Sequence, residues 1–202
     1  MRFPMKEFWS RLRVAFLLTA LLVVVLGGLY PLAVYWTGQL LFPFQANGSL
    51  VRAPDGTLLG SALLGQNFRG PRYFHPRPSA AGEAGYDATA SGGRNLGPTS
   101  KKLMDAVVQS VADYRKENLL SPDQRIPADA VTGSASGLDP HISLANALLQ
   151  LPRVARERKM RQEELREILA RYTSKPWLGL LGEPVVNVAL VDWALDGKLG
   201  GR

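Results

Sequence analysis

The chain has no cysteine in its 202 residues and only two histidines, His75 and His141. The first absence removes disulfides, zinc–thiolate sites, iron–sulfur clusters and thiol nucleophiles in one step. The second leaves a histidine-built metal cage short of ligands. Charge is missing altogether between residues 14 and 51. Low complexity is missing too. Twenty Gly and 14 Pro point to a loop-rich fold, while 46% hydrophobic and 20% charged residues exclude disorder as the overall state. The length accommodates one domain, or one domain with a short appendage.

The net charge is +7, and its placement decides what it means. Arg2, Lys6, Arg11 and Arg13 face a single acid, Glu7, in the first 13 residues. From Arg52 onward 20 basic residues meet 16 acidic ones, a mild excess without the basic stripe of a nucleic-acid binder. The densest basic stretch, Arg153 to Arg161, is followed at once by Glu163, Glu164 and Glu167 and reads as a solvated helix surface. No nucleic-acid partner is expected.

Residues 14–36, VAFLLTALLVVVLGGLYPLAVYW, are uncharged and mostly apolar. As a helix this run is roughly 35 Å long, enough to cross a hydrocarbon core of ~30 Å. Phe8 and Trp9 precede it and Tyr35, Trp36, Phe42 and Phe44 stand at its far end, where aromatic rings favour the membrane boundary. No A-x-A cleavage site follows, and the run exceeds the apolar stretch of a secretory signal, so an uncleaved span is expected. The basic flank places residues 1–13 in the cytoplasm. Residues 37–48 then connect the span to an extracytoplasmic domain over 49–202. Gly27 and Gly28 offer a narrow face for close helix packing, and Pro31 sits where a kink is tolerated.

The external domain is expected to be α+β. Two apolar segments around Pro54-Asp55-Gly56 predict a β-hairpin over 49–64. Residues 66–98 form a long irregular stretch rich in arginine and aromatics, which suits an ordered, contact-making loop better than a linker. A helix over 99–116, capped by Thr99, is expected to align Leu103, Val107, Val111 and Tyr114. A short helix near 143–150 is expected to break at Pro152, with another over about 153–172 burying Leu165, Ile168, Leu169 and Tyr172. The run Val185 to Leu195 reads as a central strand, apolar on both faces. The expected core includes Val107, Val111, Leu165, Leu169, Val188 and Leu190.

Two motifs approach known chemistry and fall short of it. Gly92-Gly93-Arg94-Asn95-Leu96-Gly97 begins like a phosphate loop, but Pro98-Thr99 stand where Lys-Ser/Thr would reach the phosphates and Mg²⁺. A structural turn is the better reading, with backbone N–H groups that could cradle an anion or a partner's carboxylate. Gly133-Ser134-Ala135-Ser136-Gly137 has Ala where a nucleophile elbow needs serine. Asp139 and His141 lie close together, but one tight loop seldom supplies a whole triad. Asp139 is expected to make an Asx turn or to cap a helix after Pro140.

The segments GSALLGQNFRGPRYFHPRPSAAG (60–82), GYDATASGGRNLGPTSKKL (85–103), VTGSASGLDPHIS (131–143), QLPRVAR (150–156) and LGEPVVNVALVDWALD (181–196) occur in one order. With the N-terminal span they resemble the C subunit of the Kdp-type high-affinity potassium-transporting P-type ATPase of bacteria, over almost the whole chain. The chain departs from the family's pattern at Arg94, where serine is usual, and at Ala135. The resemblance implies an accessory subunit of the inner membrane, acting as a catalytic chaperone that raises the catalytic subunit's affinity for ATP. It implies as partners a channel-like potassium-selecting subunit, the ATP-hydrolysing subunit, a small single-span subunit and the surrounding lipid. ATP and Mg²⁺ would be used by the catalytic subunit and potassium would be the transported ion, with no cofactor held tightly by this chain. The sequence lacks the aspartyl-phosphate motif DKTGT. Candidate partner-contact or coupling residues are Tyr73, Phe74, Arg77, Ser91, Gly92, Gly93, Asn95, Asp139 and His141, with Gly27 and Gly28 for helix packing. The rival reading is a membrane-anchored periplasmic hydrolase using Asp139, His141 and a nearby serine. A solitary binding module for a cell-wall ligand comes third.

Overall fold

The first 49 residues and the rest of the chain form two separate units in the computed structural model, which describes residues 4–176 and 178–199. Arg2 of the basic tail and the last three residues of the expected domain lie outside the described residues.

The first unit is one continuous helical rod. It comprises α1 (Met5–Val24), a π-helical turn (Val25–Leu29) and α2 (Tyr30–Leu41), followed by the single turn α3 (Pro43–Ala46). The rod is long and apolar enough to cross a membrane, and none of its side chains is buried. One long apolar helix near the N-terminus fits a single-span membrane protein. The helix starts earlier than the apolar run, because Lys6, Glu7 and Arg11 continue it, with Glu7 and Arg11 3.6 Å apart one turn along. Instead of a sharp kink at Pro31, the helix widens just before it: the Tyr30 N–H donates to the carbonyl of Val25, five residues back. The proline has no N–H to give, and its ring would collide with the carbonyl four residues earlier; one wide turn moves that carbonyl aside.

The second unit opens with the expected hairpin, β1 (Leu50–Arg52) and β2 (Leu58–Ser61), paired antiparallel. Its turn is closed by the Thr57 N–H donating to the Asp55 carboxylate at 2.9 Å. Helix α4 (Lys101–Asn118) follows the long loop. Its cap is Ser100, whose hydroxyl accepts from the Leu103 N–H, and not Thr99 as the sequence suggested. A 3₁₀ turn (Ala128–Ala130) leads to β3 (His141–Ser143), α5 (Leu144–Arg158), α6 (Gln162–Arg171), β4 (Thr173–Ser174), β5 (Val185–Asn187) and α7 (Val188–Leu195). The small sheet has the order β3-β5-β4, antiparallel throughout, with β5 central. The unit is therefore α+β.

Three expectations are corrected here. Residues 185–195 are not one strand: the sheet uses only Val185–Asn187, and the Asn187 side chain then accepts from the Leu190 N–H, starting a helix without any loop. The run is apolar on every face because β5 and most of α7 are buried, a pattern that periodicity alone cannot assign. Pro152 breaks nothing. It lies inside α5, and the real break is Lys159, in a left-handed conformation (φ 57°) that ends the helix before α6. Of the two roles expected of Asp139, the Asx turn is present and the helix cap is not, since a strand follows Pro140.

The core gathers Phe74 from the long loop, Ile142 from β3, Leu151 and Val154 from α5, Leu165 and Leu169 from α6, and Val186, Val188 and Val191 from β5 and α7. Leu165, Leu169 and Val188 are buried as expected. Val107, Val111 and Leu190 are only half-buried. Ile168 and Tyr172 are likewise intermediate, with Tyr172 packed on the core from its edge. The basic stretch is solvated only in part: Arg156, Lys159 and Arg161 are exposed, but Arg153 is 2% exposed and the Arg158 side chain 3%. Leu165→Ala should lower unfolding free energy by about 2–5 kcal/mol, whereas Leu190→Ala should cost clearly less. Equal losses in chemical denaturation of the two variants would contradict this placement of the core.

Candidate functional site

The long loop is fastened to the helices by a buried arginine. Arg153 on α5 donates from Nε to Asn118 Oδ1 at 2.9 Å and from Nη1 to the carbonyls of Pro71 (2.6 Å) and Tyr73 (2.9 Å). Its Nη2 donates to Gln150 Oε1 at 2.8 Å. That Gln150 oxygen also accepts from the His75 N–H, and the Gln150 amide donates to the His75 carbonyl and to Asn146 Oδ1. Burial pulls the Arg153 pKa below the ordinary guanidinium value, with Glu117 opposing. Phe74, held between these ties, is 1% exposed; its N–H donates to Asp192 Oδ1 at 3.0 Å. Burial drives the Asp192 carboxyl well above the ordinary range, and its second oxygen has no hydrogen-bond partner.

This fastening sets Arg77 at the boundary of two clefts. The first, about 360 Å³, is lined by His75, Arg77, Tyr86, Asp113, Tyr114 and Glu117. The second, about 520 Å³, is lined by Arg77, Asp129, Asp139, His141 and Glu183 among others. Arg77 reaches Asp139 Oδ2 at 3.2 Å and the carbonyls of Thr132 and Gly133 at 3.3 and 3.1 Å, while its own carbonyl accepts from the Tyr86 hydroxyl. Asp139 Oδ1 accepts from the His141 N–H at 3.0 Å, the expected Asx turn, and lies 3.4 Å from His141 Nδ1. In the first cleft both ring nitrogens of His75 face acceptors, the Glu117 carboxylate and the Gly70 carbonyl, each at 2.9 Å.

The glycine-rich segments meet each other. The Gly92 N–H and the Ser91 hydroxyl both donate to the Ser136 carbonyl. A Cβ on Gly93 would stand 2.8 Å from the Ala135 carbonyl oxygen, and one on Gly137 2.8 Å from that of Gly92, so only glycine lets the two loops approach this closely. Asn95 is exposed and left-handed (φ 49°), and with Arg94 and Gly93 it borders a third cleft of about 350 Å³. Tyr73 has other partners than Arg77 and Asp139: its hydroxyl donates to Asp196, and the Arg158 guanidinium sits 5.1 Å from its ring centroid. Gly27 and Gly28 belong to the first unit, where a Cβ on either would meet nothing within 4 Å.

Chemically, the second cleft holds a carboxylate, an imidazole and a guanidinium, but the serines around it are engaged elsewhere. Ser143 donates to Asp129, Ser79 to the Gly137 carbonyl, and the hydroxyls of Ser134 and Ser136 accept from backbone N–H groups. None of these four serines is joined to His141 by a hydrogen bond, so this cleft does not favour the hydrolase reading. No group of three or more acidic, histidine or cysteine residues could hold a metal ion among the described residues.

A family model described as the K+-transporting ATPase, c chain, KdpC, matches residues 12–197. The chain belongs to the KdpC family. A potassium-transporting ATPase KdpC subunit from Mycobacterium tuberculosis (strain ATCC 25618 / H37Rv) is 54% identical over 181 residues, 89% of this chain and 95% of its own length. The one from Caulobacter vibrioides (strain NA1000 / CB15N) is 50% identical over 189 residues, 94% of each. A third, from Koribacter versatilis (strain Ellin345), is 50% identical over 181 residues, 90% of this chain and 91% of that protein.

Sequence reasoning missed Arg153, Gln150, Asn118, Asn146 and Asp192, all buried polar residues, of which Asn146 and Gln150 line the first cleft. The one signal available was their position on helix faces otherwise apolar. The charged groups lining the clefts make themselves measurable through pH. The His75 side chain holds the Glu117 carboxyl below its ordinary value against partial burial. Burial pushes Asp139 up, but hydrogen bonds from His141 and Arg77 outweigh it and leave it lowered. A carboxylate lowered in the folded state adds stability that is complete above its unfolded pKa and is lost as pH falls through the folded one. Unfolding free energy should therefore drop below about pH 4, and the Glu117→Gln, Asp139→Asn double variant should show a shallower acid-side fall. An unchanged slope in denaturation at stepped pH would rule this out.

Proposed function

We propose that this chain is the anchored, non-catalytic accessory subunit of a potassium-transporting ATPase. Its apolar helix spans the bacterial inner membrane, the basic N-terminal residues lie in the cytoplasm, and the second unit, residues 49–202 by the sequence reading, works outside. There it stabilises the complex and acts as a catalytic chaperone, promoting ATP binding by the catalytic subunit through assembly and not through a nucleotide site of its own. ATP and Mg²⁺ are used by that catalytic subunit, and potassium passes through a channel-like one. Gly27 and Gly28 let a neighbouring membrane helix pack closely against the span.

The observation that carries this reading is the use made of the site's polar groups. Arg77, Asp139, Ser79 and Ser91 are spent joining loop to loop. That joins the loops into one surface suited to docking a protein, and leaves these serines bonded to backbone groups instead of to His141. Arg77 at the shared wall of two clefts has the chemistry of an interface anchor.

Deleting the chain should abolish potassium-stimulated ATP hydrolysis by the complex. Arg77→Ala and Asp139→Ala should weaken co-purification of the other subunits while leaving any residual ATPase chemistry intact. Normal pumping rate and potassium affinity in a complex without this chain would end the subunit reading. Orientation has its own check: protease added outside the inner membrane should digest the second unit and leave the N-terminal tail protected. Digestion of the tail instead would reverse the topology.

A further inference from the structure

The ten residues from Lys175 to Pro184 connect β4 to β5 and are held at both ends by strand pairing, Thr173 with Val186 and Ser174 with Val185. This connection turns its three leucines outward. Leu178, Leu180 and Leu181 are 74%, 84% and 64% exposed, and Leu180 is the most exposed large apolar residue among those described. The backbone is shaped for it: Leu178 is left-handed (φ 53°), a region that such side chains rarely adopt, and the Gly179 N–H closes the turn on the Pro176 carbonyl. No acid lies between Lys175 and Gly182, and the sequence adds Trp177 beside the leucines. Glu183, the acid nearest the turn, lines the cleft with His141.

Leucines carried with a lysine and a tryptophan have the composition of segments that settle at a lipid–water boundary. The chain also supplies the boundary. Its apolar helix has no buried side chain, and the eight residues Phe42–Ser49 that join it to β1 reach at most about 28 Å when extended. We propose that the turn Leu178–Leu181 inserts into the surface of the bilayer that holds the helix, as a second, non-spanning anchor. Two attachment points restrict the tilt of the second unit, so the clefts around Arg77 are presented in a limited range of directions. A rigid turn suits this role, because little ordering entropy is lost on insertion.

The absence of cysteine makes the test direct. Leu180→Cys carries one environment-sensitive fluorophore on the full chain, reconstituted alone into phosphatidylethanolamine–phosphatidylglycerol vesicles. Val23→Cys in the helix and Ser121→Cys on an exposed loop serve as references. The label at position 180 should show blue-shifted emission, quenching by nitroxide lipid and protection from aqueous iodide, as at position 23, while the label at 121 stays open to iodide. Adding Leu178→Asp and Leu181→Asp should return the label at 180 to water. Iodide access at 180 alongside lipid quenching at 23 would overturn the proposal and leave the span intact. Protection that arises only once the other ATPase subunits are present would overturn it in favour of a protein contact. A label at 23 outside lipid would remove the span and this anchor together.

Discussion

The second unit depends on one buried cation. A guanidinium taken out of water is costly unless its donors are matched, and Arg153 is matched by an amide, two backbone carbonyls and a second amide, with no carboxylate bonded to it among the described residues. Because two of those acceptors belong to residues 71 and 73, the arginine converts an irregular loop into a fixed wall. Gln150 repeats the device one turn earlier by bracketing both backbone groups of His75. Phe74 is thereby driven into the core, and Arg77, two residues beyond the bracket, is delivered to the place where it can hold Asp139. The clefts are consequences of this fastening. Removing Arg153 would leave the buried Asn118 amide oxygen without this donor and release the carbonyls of Pro71 and Tyr73, which costs more than the net value of the bonds themselves.

Both helices that build the core from the sheet begin the same way. Ser143 ends β3 and caps α5; Asn187 ends β5 and caps α7. In each case one polar residue closes the strand and changes the backbone from extended to helical. Since β3 and β5 run antiparallel, with His141 opposite Asn187, the two helices leave the sheet at opposite ends. The Asn187 side chain has a second task, donating to the Ala62 carbonyl and so tying the hairpin's end to the sheet.

What the sequence made legible follows from where the signal is local. The apolar run, the Pro54-Asp55-Gly56 hairpin and the Leu165–Leu169 face are set by neighbours a few residues apart, and they stand in the structure as read. Residues 185–195 were misread because burial on all sides erases the period that separates strand from helix, and the decisive mark, Asn187, is a single residue. Two arginines of the basic stretch were misread for the opposite reason. Arg153 and Arg158 look solvated in sequence, and only partners 35 to 86 positions away show that they are buried. Of the candidate site, the Asx turn at Asp139 was accessible to local reasoning. Its tie to Arg77 spans 62 residues and was not.

Those long reaches bear on how the chain is made. Tyr73 bonds Asp196, Phe74 bonds Asp192 and Ala62 bonds Asn187, so the earliest part of the second unit is completed by β5, α7 and the residue that follows them. During synthesis the segment around Tyr73 must wait, without its partners, until nearly the whole polypeptide has left the ribosome. Loop-closure entropy over such separations makes folding slow compared with a helical bundle of similar size. A nascent chain stalled short of α7 would therefore hold a finished apolar helix attached to an unfinished domain, with Phe74 and the α6 leucines exposed to any protease or aggregate within reach.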